Sequence, residues 1–325
     1  MNLQKVSEGM WEPERPVESI KDFHELMEDN FYPGKETEGK DGLKDYIWRG
    51  EPKTNTHLIS SFDRTIREAK RKDPRVELLK KHRQAFLYAA RGRMDRLALS
   101  IAELKHYVQS RTLNENHLWA FGQHYGLATP LLDWTVSPYA ALFFACEKRH
   151  NDHPEIDDGE ENAKCRYVYG LKFKEVNVMS KKLTSYKKDW DDYIDKKKRW
   201  EQNPIMCARP MEPSAPVEYF SPMSSEFGRL VNQRGVFTIT EDGSGIRVWV
   251  EKLCRLLGDP GYPLLIEIKI LAPSDEKRAE FLKWLNTMSI NHHTIYPDIE
   301  GSAKFCNLGL EIGDGYADAL VPDNK

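Results

Sequence analysis

The sequence predicts an α+β fold, a mixed central sheet with several helices packed against it. Short runs rich in β-branched and aromatic residues, "YIWRGE", "RYVYGLKF", "GVFTIT" and "PLLIEIKI", lie far apart along the chain. Helical patterns gather between and after these runs and do not alternate strictly with them. The 325 residues, 40% hydrophobic and 11% aromatic, can bury a core in one large domain or two modest ones.

Residues 1–42 are polar and punctuated by Pro13, Pro16 and Pro33, and "VESIKDFHELMED" within them suits a short amphipathic helix. Residues 43–51, "LKDYIWRGE", read as a strand ending at Arg49–Gly50. Residues 74–90 and 93–109 suit two helices broken near Gly92, and 113–123 a third. Thr135 or Ser137 can cap a helix over 136–148, with Pro138 in its first turn. That helix is apolar nearly all round, so it should be deeply buried. A strand over 166–173, a mixed-charge helix over 186–202 and a proline-rich stretch over 204–222, extended or loop, follow. The remainder reads as a strand (235–240), a helix (245–257), a strand (263–270) and a helix opened by Ser274. The expected divisions are an N-terminal extension (1–42), a domain (43–305) and a C-terminal tail (306–325).

A net charge of −3 in a chain that is 30% charged gives no general attraction to nucleic acid or membrane. The longest apolar run, Tyr139–Cys146, is too short to span a bilayer, and "MNLQKVSEGMWEPERP" carries no secretory h-region. The five cysteines are scattered without a CxxC pair, which predicts reduced thiols in a cytoplasmic protein. Zinc hydrolysis is disfavoured because no HExxH spacing occurs, and no metal site is expected. Cys146 sits in an apolar helix, where a thiolate nucleophile would be penalised. The basic stretch 64–83 could meet a phosphate-bearing partner such as nucleic acid, but a solvated helix face explains it more simply.

The chemistry concentrates in "FGQHYGLATPLLDWTVSPYAALFFA", residues 121–145. His124, Thr129, Asp133, Trp134 and Thr135 crowd between two apolar helical segments, and burying such groups together is costly unless each is paired. Asp133 suits a helix cap and a site carboxylate equally. His124 fits a satisfied core histidine as well as a ligand-binding one. Arg49, at a strand end with Gly50 behind it allowing a ligand close to the backbone, could grip a phosphate or carboxylate bidentately, or pair with Glu51 or another acid. Gln233 could orient a ligand or the Asp133 network. His292 and His293 point apart on any regular backbone and make a poor metal pair, while Asp298 and Glu300 suit a helix N-terminus.

The order of "YIWRGE", "HYGLATPLLDWT", "NQRGVFTI" and "INHHTIYPDIEGSAKF" resembles the FRG domain family over about residues 43–305. Trp48 stands for the motif's phenylalanine, Glu51 for its usual glutamine, Ala128 for proline and Pro130 for arginine. The resemblance suggests a bacterial, phage-associated setting. The layout is also similar to arginine-first ADP-ribosyltransferases, with Arg49, Thr135 and Gln233 filling the three places in order. A catalytic glutamate is not evident, and Glu226 and Glu300 are the nearest options. The expectation is a toxin or anti-phage effector that uses NAD as co-substrate and transfers or cleaves its glycosidic bond. Arg49, His124, Asp133 and Glu226 form the expected catalytic set, and Thr129, Trp134, Thr135 and Gln233 the substrate-binding set. The alternative is a non-catalytic sensor that binds a nucleotide or a protein partner through the same cleft.

Overall fold

Alternation of side chains across a pleat decides which residues of this protein meet. The computed structural model describes residues 1–31, 42–53, 58–94, 115–149, 165–182, 195–196, 198–199, 217–220, 235–240, 242–296, 298–313 and 316. Its strands are β1 (Leu3–Ser7), β2 (Met10–Pro13), β3 (Ile47–Glu51), β4 (Leu132–Thr135), β5 (Cys165–Leu171), β6 (Val217–Phe220), β7 (Gly235–Thr240) and β8 (Leu265–Leu271). They form one eight-stranded sheet in the order β1-β2-β8-β5-β3-β4-β7-β6. The β2–β8 pairing is parallel. The other pairings are antiparallel. The sheet is therefore mixed, as the α+β reading expects.

The helices are α1 (Ile20–Phe31), α2 (Ser61–Glu68), α3 (Arg75–Met94), α4 (Glu115–His124), α5 (Pro138–Cys146), α6 (Phe173–Lys182), α7 (Ile246–Leu257), α8 (Asp275–Thr287), α9 (His292–Ile295) and α10 (Ile299–Ile312). One face of the sheet gives Trp48, Val168, Ile266, Ile268 and Ile270 to a core shared with α1, α5, α8 and α10. The opposite face gives Ile47, Leu132, Trp134, Tyr169 and Leu265 to a second core with Trp249, Val250 and Leu253 of α7. Helices thus cover both faces, and neither set of apolar side chains is left to solvent.

Several elements differ from the expectation. Residues 1–31 contribute two strands and a helix to the sheet and its core, beyond the single expected helix. Helix α3 runs through Gly92 to Met94 without the expected break; the second helix, expected to start at 93, otherwise lies outside the described residues. Within the proline-rich 204–222 stretch, expected to be extended or loop, Val217–Phe220 is a strand at the sheet edge. Most of the expected helix over 186–202 lies outside the described residues.

The most consequential difference is at Leu132–Thr135, expected only to link two apolar helical segments. It is a central strand paired with both β3 and β7. Asp133 therefore does not cap α5; Ser137 does, accepting the Ala140 N–H at 3.2 Å. Helix α5 lies directly on β3. A Cβ added to Gly50 would come within 1.8 Å of the Ala141 carbonyl oxygen. Gly50 is thus required by helix packing, where the sequence suggested ligand approach. The C-terminal end of α5 is closed by two buried arginines. Arg166 donates to the Ala145 carbonyl at 2.6 Å, and Arg278 to the Cys146 and Glu147 carbonyls at 3.1 and 3.2 Å. Cations there satisfy the terminal carbonyls and complement the helix dipole.

Candidate functional site

Strands β3 and β4 are paired only at Trp48↔Thr135 and diverge beyond it. Arg49 occupies that divergence. Its Nη1 donates to the Asp133 backbone carbonyl at 2.8 Å, so the side chain replaces a missing ladder bond. The same nitrogen donates to Asp133 Oδ1 at 2.7 Å. The other arm of the fork meets Glu51, two residues on and on the same face, with Nε and Nη2 at 2.7 and 2.6 Å from Oε1. One guanidinium thus holds two carboxylates, which is geometry a lysine could not reproduce.

The electrostatics follow from this arrangement. Side chains of Arg49 and Glu51 are 14% and 12% exposed, while that of Asp133 is 58% exposed. Asp133 is reached by solvent through the cleft yet crowded by protein on its remaining sides. This partial desolvation raises its carboxyl pKa, but the charge and hydrogen bonds of Arg49 outweigh it and hold the group below the usual carboxylate range. For Arg49, burial opposes the charge, and Glu51 and Asp133 more than compensate, so its pKa is raised. Arg49 and Asp133 are therefore both ionised at neutral pH.

A polar network extends from this centre. Gln123 Nε2 donates to Asp133 Oδ1 at 3.2 Å, and Gln123 Oε1 accepts from the Thr129 hydroxyl. The Thr129 N–H donates to Ser61 Oγ at 3.0 Å. Gln123 lies within the stretch singled out from sequence but was overlooked there. Its place one residue before His124 gave no sign that its amide turns inward.

A cleft of about 230 Å³ opens over the centre, lined among others by Arg49, Glu51, Asp133, Phe144, Glu147 and Tyr296. Three of its lining side chains are carboxylates, set against Arg49 and Lys148. The lining therefore carries a net negative charge. Glu147 is backed by His292, whose Nε2 lies 3.4 Å from its carboxylate. The His292 ring stacks on Tyr296 and meets Phe143 edge-on.

The remaining expected residues divide. Thr135 and Trp134 border the cleft, but Trp134 is 3% exposed and its indole N–H donates to Thr238 Oγ1 at 2.9 Å. Its ring belongs to the core on the α7 side. Thr129 is fully buried in the Gln123 network. His124 ends α4, but its side chain lies outside the described residues, as do Glu226 and Gln233. Asp298 and Glu300 serve α10. Asp298 Oδ1 accepts the Gly301 N–H at 2.9 Å, and Glu300 lies 2.8 Å from Lys304. Burial pushes the Cys146 thiol up to about 11, which leaves it protonated and unreactive. In the basic stretch, Arg67, Arg71 and Arg75 are engaged by the Gly243 carbonyl, Asp73 and Asp63. Among the described residues, no helix is long and apolar enough to cross a membrane, and no group of three or more His, Cys, Asp or Glu could hold a metal ion.

No curated protein and no solved structure shows significant similarity to the chain. Residues 44–154, the segment that carries β3, the Arg49 centre, β4 and α5, match the family model of the FRG domain. Over residues 44–154 the chain thus carries an FRG domain.

Proposed function

We propose that the cleft binds a ribosyl ligand bearing a positively charged base, of the NAD type, and cleaves or transfers its glycosidic bond. The observation that carries this reading is the pair of carboxylates, Glu51 and Asp133, fixed by one arginine beneath a cleft that also faces Glu147. Breaking the C1′–N bond sends its electron pair to the departing nicotinamide and leaves a ribosyl oxocarbenium ion. Fixed carboxylates stabilise that charge as it develops, because they need not reorganise. Water or an acceptor hydroxyl then adds at C1′ and gives up its proton to Glu147 or to solvent.

The placement of Arg49 on β3 and Thr135 on the neighbouring β4, with Gln233 two residues ahead of β7, supports the analogy with ADP-ribosyltransferases. Arg49 has a different part here from the phosphate grip expected of it. Its donors are taken by Glu51 and Asp133, so it acts as a positioning residue for two acids. An activity of this kind suits a bacterial toxin or anti-phage effector that consumes NAD in the cytoplasm.

The test is direct. Purified protein is incubated with NAD, with and without candidate acceptor proteins, and free nicotinamide is quantified. Release that is abolished in a folded Asp133→Asn variant supports the reading. NAD binding without release in any arm would make the cleft a sensor site, which the 58% exposure of Asp133 also suits.

A further inference from the structure

A second cavity, of about 290 Å³, meets the first at the Arg49–Asp133 pair. Among the described residues, those two are the only ones that line both cavities. Their chemistries are opposite. Among the described residues, the first carries three carboxylates against one arginine and one lysine, whereas the second carries Arg49 and Arg64 against Asp133. Ile59, Leu127, Leu131 and Leu132 give the second cavity an apolar wall.

Arg64 is the distinctive group. It is exposed, it lines this cavity and it makes no ion pair among the described residues. The neighbouring carboxylate that could neutralise it, Asp63, is buried and held by Arg75 at 2.6 and 3.1 Å and by the Ser60 hydroxyl at 2.6 Å. Asp133, the one carboxylate in the lining, is held by Arg49. The charge of Arg64 reaches Asp133 and acts in the same direction as Arg49. The first amides of α2 are committed inside the protein: Phe62 N–H to the Thr129 carbonyl, Asp63 N–H to Ser60 Oγ and Arg64 N–H to the Ser60 carbonyl. Anion binding in the cavity therefore falls to the Arg64 guanidinium, with the Ser61 hydroxyl and Gln123 beside it.

We infer that the site is bipartite, with the acidic cleft taking the cationic ribosyl half of a ligand and the Arg64 cavity taking its phosphate-bearing half. This rests on the function proposed above and narrows it to nucleotides over free nucleosides. The Arg49–Asp133 pair divides the two halves, so a bound dinucleotide passes across it. A guanidinium suits a phosphate because it offers paired donors, and the apolar wall beyond it suits the flat face of a base.

The probes are nicotinamide riboside, nicotinamide mononucleotide, ADP-ribose and NAD, titrated calorimetrically into the wild type, Arg64→Gln and Arg64→Glu. Arg64 is exposed, so melting temperatures of all three proteins should agree. The wild type should bind the phosphate-bearing probes more tightly than the riboside. Arg64→Gln should weaken the phosphate-bearing probes roughly tenfold, the scale of one charge-assisted contact, and Arg64→Glu should weaken them further. Riboside affinity should not move in either variant. Equal losses for riboside and NAD, or no loss for NAD, overturn the phosphate assignment. Riboside binding with no gain from phosphate removes the second compartment and leaves the acidic cleft standing. Failure of the wild type to bind any of the four overturns both.

Discussion

Replacing Arg49 with lysine keeps a positive charge and removes the fork. In the wild type, Nε and Nη2 hold Glu51 while Nη1 holds the carboxylate and carbonyl of Asp133. An ammonium is a single point of charge and can serve one side of this arrangement at a time. If it stays on Asp133, Glu51 is left 12% exposed without its strongest partner. If it moves to Glu51, the Asp133 carbonyl loses the donor that replaces its ladder bond. Two charge-assisted hydrogen bonds are lost in either case, at about 1.5 kcal/mol or more each, so destabilisation of about 3 kcal/mol is expected. Chemical denaturation of wild type and Arg49→Lys, with unchanged m-value, measures this as a shift in midpoint. A variant as stable as the wild type would refute the argument that Arg49 fastens two strands and two acids.

Gly50→Ala would press a methyl group into the backbone of α5, within 1.8 Å of the Ala141 oxygen and 2.6 Å of the Ala145 nitrogen, so loss of about 3 kcal/mol or more is expected in a thermal melt. Asp133→Asn keeps the hydrogen bond from Arg49 to an amide oxygen and to the backbone carbonyl. Because the side chain is 58% exposed, the lost charge should cost only about 1 kcal/mol in the urea midpoint, while nicotinamide release falls by orders of magnitude. The pH dependence has a definite sign: the folded Asp133 carboxyl titrates below its unfolded value, so its contribution is complete above about pH 4 and is lost as pH falls through the lower folded value. Denaturation midpoints at successively lower pH should therefore fall less steeply for Asp133→Asn than for the wild type.

Much of the frame was legible because its signals are local. Ser137, Ser274 and Asp298 each announced a helix through a side chain that accepts a first-turn N–H, and each cap is present. The strands at 165–171, 235–240 and 265–271 carried enough β-branched and aromatic residues to stand out. Strand β4 was hidden for the opposite reason. Leu132–Asp133–Trp134–Thr135 is only two pleat periods long, and its polar residues also suit a cap. The pairing of Arg49 with Asp133 spans 84 positions and depends on β3 and β4 becoming neighbours, which no local pattern encodes. Gly50 was noticed for a correct reason, the close approach of another group. The group proved to be helix α5, and only tertiary packing distinguishes that from a ligand.

The acidic cleft built on Arg49, Glu51 and Asp133 is proposed to receive a positively charged ring on a ribosyl group. The oxidised and reduced forms of NAD test it most directly, since they share phosphates, sugars and adenine and differ chiefly in the charge of the nicotinamide ring. Calorimetric titration of the wild type with each, at the same pH and salt, should show the oxidised form binding roughly tenfold more tightly, as expected for one added favourable charge contact in a partly desolvated cleft. The preference should shrink in Asp133→Asn while affinity for the reduced form holds. Equal affinities, or tighter binding of the reduced form, would contradict the account.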